Sequence, residues 1–169
     1  MRLGILMVLA IAAVGCSSPK PDVQLRLPKS IGGVDIAYFR SDPEDVAAMS
    51  PDDTPRQIAA ALGVPPNRVT FVTGVRDIQR TYESTLIQVR GVRSADLLEA
   101  TLKTYRFIGA RRTDTIAGKS IIRAVTEDAP AIGGDIDLDH APYFYVLDDV
   151  VVILLGRPDY VEEAIRALP

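Results

Sequence analysis

The sequence predicts an α+β fold: a mostly antiparallel sheet with helices packed on one face. Three observations predict it. Short stretches rich in Val, Ile, Tyr and Thr alternate in the strand manner between turns marked by Gly, Pro and Asp. Residues 94–105 and 158–168 instead carry apolar side chains at helical spacing. The order also repeats: 85–102 lines up with 151–168 when Gly91 and Gly156 are matched and one residue is added to the first loop, 69–77 with 141–149, and 33–39 with 119–125. This pattern allows two β-β-β-α repeats, the first carrying a helical insertion at 41–64. Six strands would then form one sheet, with the two long helices on the same face.

Each element has its own local reason. Residues 34–40 alternate Val, Ile and Tyr with other residues and predict a strand. Ser41 or Asp42 caps a short helix with Pro43 in its first turn, stopping near Ser50 and Pro51. Thr54 starts a second helix, with Pro55 at its first position and Gln57 completing a reciprocal cap. Ile58, Ala61 and Leu62 form its apolar face, and Gly63 closes it in the left-handed conformation. Residues 68–76 and 85–90 read as strands, and Gly91 breaks the second. Ser94 caps a helix reaching Tyr105, with Leu97, Leu98, Thr101 and Leu102 on one side. Strands follow at 121–125, 143–147 and 150–155, the last two joined by an Asp148-Asp149 turn. Pro158 opens a final helix to Leu168, with Val161, Ala164 and Ile165 turned inward.

The chain begins differently. Met1-Arg2 is a small basic start, and residues 3–14 form an almost unbroken apolar run. As a helix this run covers roughly 18 Å, well short of a bilayer core of about 30 Å, and fits the apolar region of a signal peptide. Small residues then lead through Gly15 into Cys16. This ending resembles the lipobox of bacterial lipoproteins, although Ala13 stands where leucine is most frequent in that family. The resemblance implies that residues 1–15 are a signal peptide and that Cys16 becomes the lipidated first residue of the mature protein. It places the protein outside the cytoplasm, held on the cell membrane, or on the outer membrane where the organism has one. Cys16 is the sole cysteine, so no intramolecular disulfide forms, and acylation removes a free thiol from an oxidising compartment. Residues 16–30, with three prolines, read as an extended tether, and residues 31–169 as a single domain. The rest of the chain resembles small secreted lipoproteins of high-GC bacteria in its Ala-, Arg-, Asp- and Val-rich, lysine-poor composition, and no functional residue carries over from that likeness.

The net charge of −3 argues against nucleic acid as a partner. Candidate chemistry is sparse. Asp135, Asp137 and Asp139, followed by His140, resemble the start of a calcium loop, and they are the candidate metal ligands. Position six of such a loop is His140 rather than glycine, and position twelve is Val146 rather than glutamate, so a solvated acidic loop is the competing reading. His140 is also the only conventional base for a catalytic triad, at a strand entrance. Ala117-Gly118-Lys119-Ser120 echoes a phosphate loop but has Thr113 where that motif needs glycine. Arg76, Arg80, Arg90, Arg93, Arg106, Arg111 and Arg112 make the middle basic, and suit either anionic ligands or pairing with the chain's own carboxylates. Tyr143 and Tyr145 point to one side of their strand and Phe144 to the other, so the two tyrosines are candidate binding residues on the helix-free face, or else cover it.

The expected function is that of a membrane-anchored, non-enzymatic domain without cofactor that binds an envelope protein or small ligand. The alternative is a carboxylate-based metal-binding protein or enzyme built on residues 135–140.

Overall fold

The computed structural model describes residues 27–107, 110–125 and 142–169. It shows the α+β fold. A two-stranded ribbon, β1 (Ser30–Ile31) and β2 (Val34–Asp35), leads into β3 (Ala37–Ser41). Two short helices follow, α1 (Pro43–Ala48) and α2 (Thr54–Leu62), then β4 (Val69–Val75), β5 (Tyr82–Val89) and α3 (Ser94–Thr104). The remainder is β6 (Ala110–Ile116), β7 (Lys119–Val125), β8 (Tyr143–Leu147), β9 (Val150–Gly156) and α4 (Pro158–Ala167).

Seven strands form one sheet in the order β3-β4-β5-β9-β8-β7-β6, and every neighbouring pair is antiparallel. The seventh strand is β6, whose sequence ARRTDTI has no apolar alternation and gave no strand signal. It forms by pairing with β7 across a hairpin in which Ala117 and Gly118 both take positive φ, 51° and 77°. A three-stranded meander, β3-β4-β5, and a four-stranded one, β6-β7-β8-β9, meet at the β5–β9 seam.

Helices lie on both faces, not on one. Val46 and Ile58 of α1 and α2, with Leu97, Leu98 and Leu102 of α3, pack on Val69, Ile87, Phe144, Val151 and Ile153. Val161, Ala164 and Ile165 of α4 pack with Leu86, Tyr143, Tyr145, Val152 and Leu154 on the opposite face. The reason lies in the register. Matching Gly91 with Gly156 aligns Ile87 with Val152, and these two face opposite sides. Four residues separate β5 from α3, but only Arg157 separates β9 from α4. Units meeting through antiparallel neighbouring strands are related by an axis normal to the sheet, which would keep both helices on one face. The two halves share element order without sharing that symmetry.

Folded structure also starts earlier than residue 31. Leu27, Ile31 and Ile36 are buried on the α4 face. The Tyr38 hydroxyl donates to the Pro28 carbonyl at 2.6 Å, and Arg76 Nε donates to the Ile31 carbonyl at 3.0 Å. Residues 27–36 thus form a strap over the sheet. Two of the helix starts, those of α2 and α3, shift by a residue as well. Asp42 caps α1 with the reciprocal bond from Asp45, whereas Asp53 rather than Thr54 precedes α2, and Gln57 reaches the Asp52 carbonyl instead of completing a cap. Arg93, not Ser94, precedes α3. Gly63 closes α2 at φ 65° as expected.

Candidate functional site

Cys16, Asp135, Asp137, Asp139 and His140 lie outside the described residues. Tyr143 and Tyr145 do share a face, with Phe144 on the other. That face is not open, which corrects the idea of a tyrosine-floored surface. Tyr143 and Tyr145 are only 7% and 9% exposed, because α4 covers them. Arg123 lies over the Tyr143 ring, 4.6 Å from its centre, and the Tyr145 hydroxyl donates to the Pro169 carbonyl at 2.6 Å. Both side chains belong to the core.

The arginines largely answer to their own carboxylates. Arg76 pairs with Asp77, Arg80 with Glu83, Arg93 with Asp96, Arg111 with Glu99 and Arg112 with Asp114. The Arg111 pair holds the Glu99 carboxyl below the usual carboxylate range, through its hydrogen bond first. Lys119, the last residue of the phosphate-loop echo before Ser120, donates from Nζ to the carbonyls of Ile165, Arg166 and Leu168 at 2.7, 3.2 and 2.5 Å. It caps the end of α4, where a cation also meets the negative end of the helix dipole.

The uncovered surface lies on the other face, beyond the reach of α1–α3. Two cross-strand rows define it. One runs Phe39, Thr73, Thr85 and Ile153; the second runs Ala37, Val75, Glu83 and Leu155. Thr73, Val75, Glu83, Thr85 and Leu155 are all partly exposed, and Phe39 is 66% exposed. The area stays open because α3 is only 11 residues long. Arg106 then turns the chain at φ 58°, and Phe107 stacks on Tyr105 and meets Phe144 edge-on at 5.4 Å. Tyr105 bounds the open area and bonds to Thr85; burial pushes its hydroxyl up to about 12.

Glu83 is the chemically unusual member. Its side chain is 16% exposed, and Oε1 accepts no hydrogen bond while facing Arg80 Nε at 3.3 Å. Burial pushes its carboxyl above the usual range, and the Arg80 charge offsets this only in part. The surface therefore combines threonine hydroxyls and a half-desolvated carboxylate with an apolar border of Phe39, Val75 and Leu155. A signal for it existed in the sequence: a carboxylate inside the stretch Tyr82-Glu83-Ser84-Thr85, which forms the first half of β5, an interior strand of the sheet.

A second concavity, an open groove of about 630 Å³, lies between α2 and α3 beside Leu62, Val92 and Lys103. Its other charges are already paired, Arg93 to Asp96 and Glu99 to Arg111. Among the described residues no group of three His, Cys, Asp or Glu side chains is placed to hold a metal ion. No family model, curated protein or solved structure matches the chain.

Proposed function

We propose that this protein is a lipoprotein, anchored through Cys16 on an extracytoplasmic membrane surface, whose domain works by binding an envelope partner or ligand rather than by catalysis. The observation that supports the binding role most directly is the open half of the sheet. Hydroxyls, a half-desolvated carboxylate and an exposed phenylalanine share one surface that the helices among the described residues leave uncovered. The anchor supports the same reading. Leu27 follows Cys16 by 11 residues, each spanning at most about 3.6 Å, so the domain works within about 40 Å of its lipid. The strap that receives this tether packs on the α4 face, opposite the open surface. Among the described residues no helix is long and apolar enough to cross a membrane, so attachment in this reading rests on Cys16.

Native mass spectrometry of the protein extracted gently from its host membranes tests this. The expected result is an acylated chain carrying a defined extra mass that disappears in Thr85→Arg while the melting temperature holds. Loss of acylation without loss from the membrane in Cys16→Ala would refute the anchor. A bound mass unaffected by Thr85→Arg would move the binding site elsewhere.

A further inference from the structure

The sheet ends in two edges, and they are treated differently. The β6 edge carries Arg111, Arg112 and Asp114, the charged pattern that protects edges against added strands. The β3 edge carries the sequence AYFRS, with Phe39 exposed at its centre. Its single charge, Arg40, is turned to Asp42, with Nε 2.7 Å from the carboxylate. Among the described residues no strand pairs with the outer side of β3.

We propose that β3 is an acceptor strand: an extended segment of a partner protein, apolar at its centre and basic at its flanks, adds to the free edge of the sheet. This rests on the binding role above and names the partner's chemistry. Main-chain hydrogen bonds to the edge supply affinity, and side chains on alternate positions supply specificity. A strand added beside β3 extends the row Phe39, Thr73, Thr85 by one position, placing its own side chain about 5 Å from Phe39. Five residues of β3 span about 17 Å, so a partner segment of similar length fills the edge.

The charge of the segment follows from what brackets β3. Asp35 precedes it, and Glu44 and Asp45 follow it; all three are exposed, and none has an ion pair among the described residues. Basic flanking residues complement both ends. The same charges disfavour a second copy of this chain. Symmetric antiparallel pairing centred on Phe39 sets Asp35 of one copy opposite Pro43 of the other, between Asp42 and Glu44, so like charges meet at both ends.

The test uses the full chain in detergent micelles and two labelled peptides. One is Lys-Arg-Thr-Val-Phe-Val-Thr-Lys-Arg; its twin replaces the four basic residues by Glu and Asp. Fluorescence anisotropy should show saturable binding of the basic peptide, at least about ten-fold tighter than its twin and weakening with added salt. Phe39→Lys should cost ten-fold or more in affinity and Glu44→Lys several-fold, with melting temperatures unchanged. Amide hydrogen exchange should slow across β3 when the basic peptide binds. Equal binding of the two peptides, no saturation by about 1 mM, or indifference to Phe39→Lys would each overturn the proposal. So would a dimer of the chain that Phe39→Lys abolishes. A native partner lost in Thr85→Arg but kept in Phe39→Lys would leave the binding role standing and remove strand addition alone.

Discussion

Lys119 shows how much one side chain can hold. Its three donors meet the last carbonyls of α4, which otherwise have no partner within the helix. Lys119→Met keeps the length of the side chain and removes those bonds, so it should cost about 1–3 kcal/mol in urea unfolding. A loss below about 0.3 kcal/mol would mean that water replaces the lysine fully. Glu83 works in the opposite direction. Its folded-state pKa is raised by burial, so its ionised form disfavours the native state. That cost is present above the folded pKa, fades as pH falls through it, and is gone below the unfolded value of about 4.3. Glu83→Gln should therefore raise the melting temperature at pH 7, and the gain should vanish near pH 3. A gain independent of pH would show that packing, not ionisation, sets the effect.

At the scale of elements, the strands are held apart by what their side chains can tolerate. Gly74 in β4 lies under Tyr38 and Ser84; a Cβ there would collide with the Tyr38 ring and come within 2.6 Å of Ser84 Oγ. Gly74→Ala should cost about 1–3 kcal/mol, read by thermal or urea unfolding, through overpacking between β3 and β5. The elements legible in the sequence were those whose burial writes a period. Val150 to Leu154 are buried on both faces and form an unbroken apolar run, and α3 and α4 each bury one stripe. The illegible ones take their structure from a neighbour. An edge strand such as β6 needs no apolar face, and its cue is only the Ala117-Gly118 hairpin. Residues 27–30 read as part of the tether because prolines and charges outnumber bulky apolar residues across 16–30, and the burial of Leu27 beside Ile31 and Ile36 depends on a sheet formed much later in the chain. The open surface was hidden for a related reason. Tyr143 and Tyr145 looked like surface residues until α4 crossed to their side, and which face a helix takes depends on the length of the connection before it.

For the whole molecule, the strap joins parts far apart in sequence. Ile31 is fully buried, Gly32 N–H donates to Glu163 at 2.9 Å, and Arg76 sits between the Ile31 carbonyl and the Tyr160 ring. Ile31→Ala should therefore cost about 2–5 kcal/mol, a large share of a typical stability of about 5–15 kcal/mol. Ile78→Ala, at a side chain 95% exposed, should stay within about 0.5 kcal/mol in the same denaturant series. Comparable losses from both would mean that the strap is not part of the cooperative unit.

The β5–β9 seam has a kinetic consequence. Each meander closes through neighbours in the chain, whereas the seam pairs Gln88 with Val150 and Tyr82 with Gly156. Those contacts must wait for loops of about 60–75 residues to close, and all the entropy of closure is lost before the first hydrogen bond forms. The two half-sheets can collapse early, each with one apolar face still wet. Refolding should then run in milliseconds to seconds, as in other proteins dominated by distant pairings. Lengthening the chain between the halves should slow it only slightly, because each doubling of a loop adds just about 0.6 kcal/mol.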